Sequence, residues 1–167
     1  MNLLANYRKQ FAFYRSLGER AMEQLGEEEL FFDDAAGSNS IAVIVKHLAG
    51  NMHSRWTDLL TSDGEKPWRD RDQEFVDDFA DRAALENAWN LLEAALLSLN
   101  ETDLDRTVYI RAEAHTVYEA INRQLAHYAY HVGQIVLLAK QCKGENWVSL
   151  SIAKGQSEAF NASKFGR

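Results

Sequence analysis

The amino-acid sequence predicts an all-α protein, a four-helix bundle, and three observations carry that expectation. Four segments, each long enough for several turns, place apolar side chains at three- and four-residue steps, the period of a helix face. Helix boundaries are marked by Ser38-Asn-Ser40, by the capping-box sequence Thr116-Val-Tyr-Glu119, and by Lys143-Gly144. Only one stretch alternates like a strand, and one strand makes no sheet. With 167 residues, 46% of them apolar, the chain reads as a single domain over 1–167 with a proper core.

The first helix is expected over residues 3–25, with Leu4, Tyr7, Phe11, Tyr14, Leu17 and Ala21 on one face. An acidic loop over 26–37 carries Phe31 and Phe32. The second helix, about 40–60, buries Ile41, Val45, Leu48, Met52, Trp56 and Leu59. Residues 61–74 (TSDGEKPWRDRDQE) hold the only proline, Pro67, and form a long connection; loops of that length are often functional or cross a bundle end. The third helix runs from Asp77 or Asp78 to Leu99, with Leu85, Trp89, Leu92, Leu96 and Leu99 as its seam. Val108, Ile110 and Ala112 mark a short extended segment without a partner, so no sheet is expected. The fourth helix starts at the Thr116 cap and ends near Gly144. Beyond it Trp147, Leu150, Ile152, Phe160 and Phe165 make an ordered C-terminal extension that packs on the bundle or on a partner.

Composition excludes several classes. A net charge of −7 argues against broad nucleic-acid binding, which needs clustered Lys and Arg. No apolar leader and no run of about 18 apolar residues is present, so a cytoplasmic protein without a membrane partner is expected. The single cysteine, Cys142, excludes an internal disulfide and a thiolate zinc site.

The chemistry lies in the histidines. In the fourth helix, Ile121, Leu125, Tyr128, Val132, Ile135, Val136 and Ala139 form an apolar stripe. His127 and His131 project beside it, four residues apart, with Gln124 above and Gln134 below. Ala126, Ala129 and Gly133 make a third face of small residues, and the helix is expected to be largely buried. Two imidazoles one turn apart suit one metal ion, although an isolated pair is equally a pair of hydrogen-bonded core histidines. His47 changes the balance, because it stands in a matching position on the second helix. Asn51 and Arg55 follow it on the same side, whereas His53 faces the polar side. His115 precedes a cap and reads as a loop histidine, and Tyr128 reads as core. Three neutral nitrogens leave a position open for water or substrate, and imidazole suits zinc, nickel or iron. A ferritin-like site would need Glu-x-x-His, and a zincin helix a glutamate after the first histidine; neither occurs.

His127-x-x-x-His131-x-Gly133-Gln134, together with the Ser40-to-Arg55 stretch carrying IAVIVKHLAGNMHSR, resembles the DinB/YfiT-like superfamily of metalloenzymes. The resemblance covers about residues 3–142. It implies an up-down-down-up four-helix bundle, often a homodimer, and a divalent ion, commonly zinc or nickel, on His47, His127 and His131. Some relatives are transferases or isomerases that use low-molecular-weight thiols; others are known as damage- or stress-associated proteins. The expectation is a metal-dependent enzyme, a hydrolase or thiol-dependent transferase acting on a small molecule, with Asn51, Arg55 and Gln134 supporting the ligands or facing substrate. Two alternatives stay open: a non-catalytic dimeric metal-binding or stress-response protein, and a metal-free bundle with histidines as core polar residues.

Overall fold

The chain, in a computed structural model that describes residues 2–32, 37–76, 78 and 82–166, is mostly helical with a small two-stranded sheet. The helices are α1 (Leu3–Met22), the single turn α2 (Glu27–Leu30), α3 (Ile41–Trp56), α4 (Arg82–Ser98), α5 (Val117–Lys143) and α6 (Ser157–Phe165). No helix among the described residues is long and apolar enough to cross a membrane.

Local chemistry sets each boundary. Asn2 caps α1 through Oδ1, which accepts from the Ala5 amide at 2.7 Å, and Ser40 caps α3 at the Val43 amide. Thr116 and Glu119 close the expected capping box on α5, which stops where Gly144 turns to φ 53°. The second helix ends at Trp56 rather than near residue 60, because Asp58 adopts a left-handed φ of 50°. Asp77, one of two starts expected for the third helix, lies outside the described residues. Asp78 is not helical; its carboxylate pairs with Lys46 and α4 begins at Arg82.

Apolar seams join α1 to α5 and α3 to α4, and the remaining sides close through α3 against α5 and α1 against α4. Leu48, Met52, Trp89, Leu92, Ile121, Tyr128 and Ile135 fill the centre. Within it the Trp56 indole donates to the Tyr128 hydroxyl at 2.8 Å. Burial pushes the Tyr128 phenol far above its ordinary pKa, so this tyrosine is a core group and not a proton donor at neutral pH.

The expectation that α5 is largely buried needs correction. Along the Ala126/Ala129/Gly133 face, Ala126 and Gly133 are exposed, and a methyl group on Gly133 would touch no described residue. Tyr130 and Leu137 are exposed on the same helix, so α5 is not largely buried. Of the C-terminal extension, Trp147 and Leu150 pack on the core, but α6 buries no residue.

A sheet forms where none was expected. Thr107–Ile110 (β1) pairs antiparallel with Glu113–Thr116 (β2) in the register Ile110 to Glu113. The second strand escapes notice because Glu113-Ala-His-Thr116 has no apolar alternation; β1 supplies the buried face through Val108 and Ile110. The two turn residues, Arg111 and Ala112, have φ of 57° and 61°. Such a turn suits the strand twist but favours Asn-Gly, since a Cβ in the left-handed region costs about 1–2 kcal/mol. Asp63 compensates: its carboxylate accepts from the amides of Arg111 at 2.9 Å, Ala112 at 2.8 Å and Glu65 at 2.7 Å. The 57–76 connection is thereby fastened to the hairpin, with Gly64 N donating to Tyr109 O at 2.8 Å. Ala112→Gly should therefore raise unfolding stability by roughly 0.5–1 kcal/mol. Asp63→Ala should lower it by about 1–2 kcal/mol. Urea unfolding followed by circular dichroism checks both, and unchanged stability in Asp63→Ala would show that the clamp does not hold the turn.

Candidate metal centre

Helix α5 delivers His127 and His131 from adjacent turns of one face, and α3 brings His47 against them. The Nε2 atoms of His47 and His131 each lie 3.2 Å from His127 Nε2. One nitrogen from each ring falls within 4.8 Å of the other two. His47 is buried and the other two half-buried.

The outer nitrogens decide which atoms face inward. His47 Nδ1–H donates to Glu74 Oε2 at 3.0 Å, because a carboxylate can only accept. His131 Nδ1–H donates to Gln134 Oε1 at 2.7 Å. With protons on Nδ1, both Nε2 atoms are bare lone pairs, and both point at His127. A proton on His127 Nε2 could satisfy only one well, so the cluster has more acceptors than donors. A cation removes that conflict. Tetrahedral zinc at about 2.0–2.1 Å from each nitrogen sets its ligands about 3.3–3.4 Å apart, close to the 3.2 Å that separates His127 Nε2 from each of the other two. The donor set therefore fits a divalent ion.

Electrostatics agree. Desolvation, reinforced by the neighbouring imidazoles, lowers the His127 pKa to about 3; it lowers that of His131 as well. Both rings are neutral at pH 7, the form that binds metal.

Glu74 is the residue that sequence reasoning missed. It sits in a single turn, Gln73–Phe75, near the end of the connection, is 6% exposed, and is held by Arg69 through Nε to Oε1 at 2.7 Å and Nη2 to Oε2 at 2.8 Å. Burial pushes its carboxyl up, but the Arg69 and His47 hydrogen bonds outweigh that and hold it below the usual carboxylate range. The slot it occupies is Gly50: a Cβ there would lie 2.3 Å from Glu74 Oε1. A glycine inside a helix is a visible signal, since it costs about 1 kcal/mol against alanine and calls for a reason.

The other sequence candidates are placed unevenly. Gln134 touches His131 directly. Asn51 is buried one turn after His47, and its Oδ1 has no hydrogen-bond partner among the described residues. Arg55 does not reach the cluster. Its guanidinium binds Gly64 O and, at 3.1 Å from both terminal nitrogens, Glu65. Glu65 also meets Arg69 at 3.4 Å and Arg111 at 3.2 Å, so Arg55 is linked to His47 only through Glu65, Arg69 and Glu74 in turn. His53 lies tilted against Trp68 and His115 lies in β2; neither joins the cluster.

Fold and site together define a mostly helical protein with a three-histidine cluster suited to a metal ion. The chain belongs to a family described as proteins of unknown function, DUF1572, whose model matches residues 1–156. No curated protein and no solved structure matches it.

Two measurements test this geometry. Glu74→Gln and Gly50→Ala should each weaken metal binding by about 10–100-fold, the usual cost of losing an outer partner. Gly50→Ala should do so without loss of helix, which circular dichroism would show. The second concerns acid. Histidine titrates near 6.5 when unfolded, whereas folded His127 titrates at about 3. The unfolded chain binds more protons between those values, so metal-free protein should lose stability as pH falls from about 6.5 toward 3. His127→Ala should flatten that dependence, seen as urea midpoints at pH 7.5 and 5.

Proposed function

We propose that this chain is a divalent-metal-dependent enzyme of the cytoplasm, a hydrolase or thiol-dependent transferase acting on a small molecule. The observation that carries the proposal is the convergence of three Nε2 atoms, with Glu74 and Gln134 fixing two of the rings from behind. His47, His127 and His131 would hold the ion, zinc or nickel by ligand type. Bound there, it would supply Lewis acidity, acidifying a water or thiol and polarising a substrate oxygen near neutral pH. Glu74 and Gln134 keep His47 and His131 in the tautomer whose Nε2 is free. Arg69 keeps Glu74 ionised, and Arg55 positions Arg69 through Glu65. Asn51 offers a buried acceptor beside the cluster, suited to a substrate or water proton.

Family membership and the histidine pattern support placing the chain among DinB/YfiT-like proteins. The ring of contacts α1–α5–α3–α4 supports an up-down-down-up four-helix bundle. A homodimer is part of the proposal, because α6 exposes Phe160 and Phe165 and α5 exposes Leu137, apolar surface that the described residues leave uncovered in part. The same surface favours one alternative, a non-catalytic dimeric binding protein that holds its ion without turnover.

Replacing His47, His127 or His131 by Ala should reduce bound metal to a small fraction of the wild-type level. His53→Ala and His115→Ala should leave it unchanged. Elemental analysis of gently purified protein reads both, and equal metal in all five variants would overturn the site. A substrate screen of the loaded protein, with and without low-molecular-weight thiols, separates the enzyme from the binding protein. Light scattering at micromolar concentration should give twice the chain mass; a monomer would remove the dimer.

A further inference from the structure

Two aromatic side chains stand at the edge of the histidine cluster, and neither belongs to the core. Phe75 lies nearly parallel to the His47 ring, with centroids 4.7 Å apart and planes at 27°, yet is 44% exposed. Tyr130 meets the His131 ring edge-on at 4.9 Å and 71°, and is 63% exposed. A single exposed aromatic needs no explanation. Here two come from different elements, and each is in ring contact with a different histidine of one cluster. Gln134 Nε2 donates to the Tyr130 oxygen at 3.4 Å, which leaves the phenol O–H free to donate outward.

Charge restricts what belongs at this rim. Three neutral imidazoles offset none of a divalent ion's charge, and the nearest carboxylate, Glu74, is already matched by Arg69 on both oxygens. An anionic donor is therefore favoured over a neutral one. Resting on the metal-centre reading above, the geometry points to a ligand class: a small carboxylate with a flat apolar body. Its acid group faces the cluster and accepts from the Tyr130 hydroxyl, while its body lies against Phe75 and Tyr130.

The test uses the full chain. Cobalt(II) is titrated first and its visible absorption followed, and benzoate, acetate and benzyl alcohol are then titrated by calorimetry into loaded and metal-free protein. Benzoate should bind about tenfold more tightly than acetate, the size of effect expected from covering one aromatic face. Benzyl alcohol should bind weakly, and none of the three should bind metal-free protein. Phe75→Ala and Tyr130→Ala should each bring benzoate to within about threefold of acetate while the cobalt spectrum is kept. Tyr130→Phe should weaken both carboxylates and leave their ratio intact. Phe75→Leu keeps bulk against His47 and serves if Phe75→Ala loses cobalt; it too should lower the benzoate preference. Stoichiometric cobalt with benzoate no tighter than acetate would overturn the inference, as would equal benzoate binding without metal. A chain that takes up no cobalt gives a separate result, visible before any carboxylate is added, and overturns the metal-centre reading and this one with it.

Discussion

The buried ion pair between Arg69 and Glu74 is the constraint on which the site depends. A carboxylate removed from water must be matched on both oxygens or it will not stay ionised. Arg69 supplies two hydrogen bonds and His47 a third. Satisfying Glu74 also settles His47, because an imidazole that donates from Nδ1 presents an unprotonated Nε2 on its other side. The orientation of a helical side chain is thus set by a residue from a loop. That loop must be held in turn: Glu65 gathers Arg55, Arg69 and Arg111, and Asp63 clamps the hairpin turn. The polar chain runs from the strained turn to the histidine cluster with charges alternating in sign.

The two sides of the cluster rest on different physics. His127 and His131 are brought together by helical pitch alone, and Gln134, one turn further, orients the second of them. His47 reaches them only because α3 and α5 pack, across a separation of 80 residues. Its partner Glu74 also requires Gly50, where side-chain volume is missing. The α5 side is local and cheap to form; the α3 side depends on most of the tertiary structure.

That division explains what the amino-acid sequence revealed. Periodicity and caps placed the four long helices and their seams, and spacing singled out His47, His127 and His131 while separating His53. Gln134 was legible for the same reason, since it shares a helix face with His131. Glu74 and Arg69 were not, because loop residues carry no periodicity and their meeting with α3 is tertiary. Arg55 was placed on the right side of its helix, yet its long side chain turns to Gly64 and Glu65. The β-hairpin was hidden by Arg111 and Ala112, which lack the glycine or asparagine that announces such a turn.

The spacing within α5 has a consequence for how an ion would enter. A pair of imidazoles one turn apart exists as soon as that helix forms, before α3 docks, and so offers a two-point landing place on a partly folded chain. His47 then completes the set only when a loop of 80 residues closes, an event whose entropic cost is about 4 kcal/mol on the logarithmic scale for flexible chains. An ion already seated on α5 would make that closure more favourable by the whole of its bond to the third imidazole. In this order of events a bound ion would act as a folding cross-link, joining the sequence-distant helices α3 and α5 much as a disulfide would in a protein that had one.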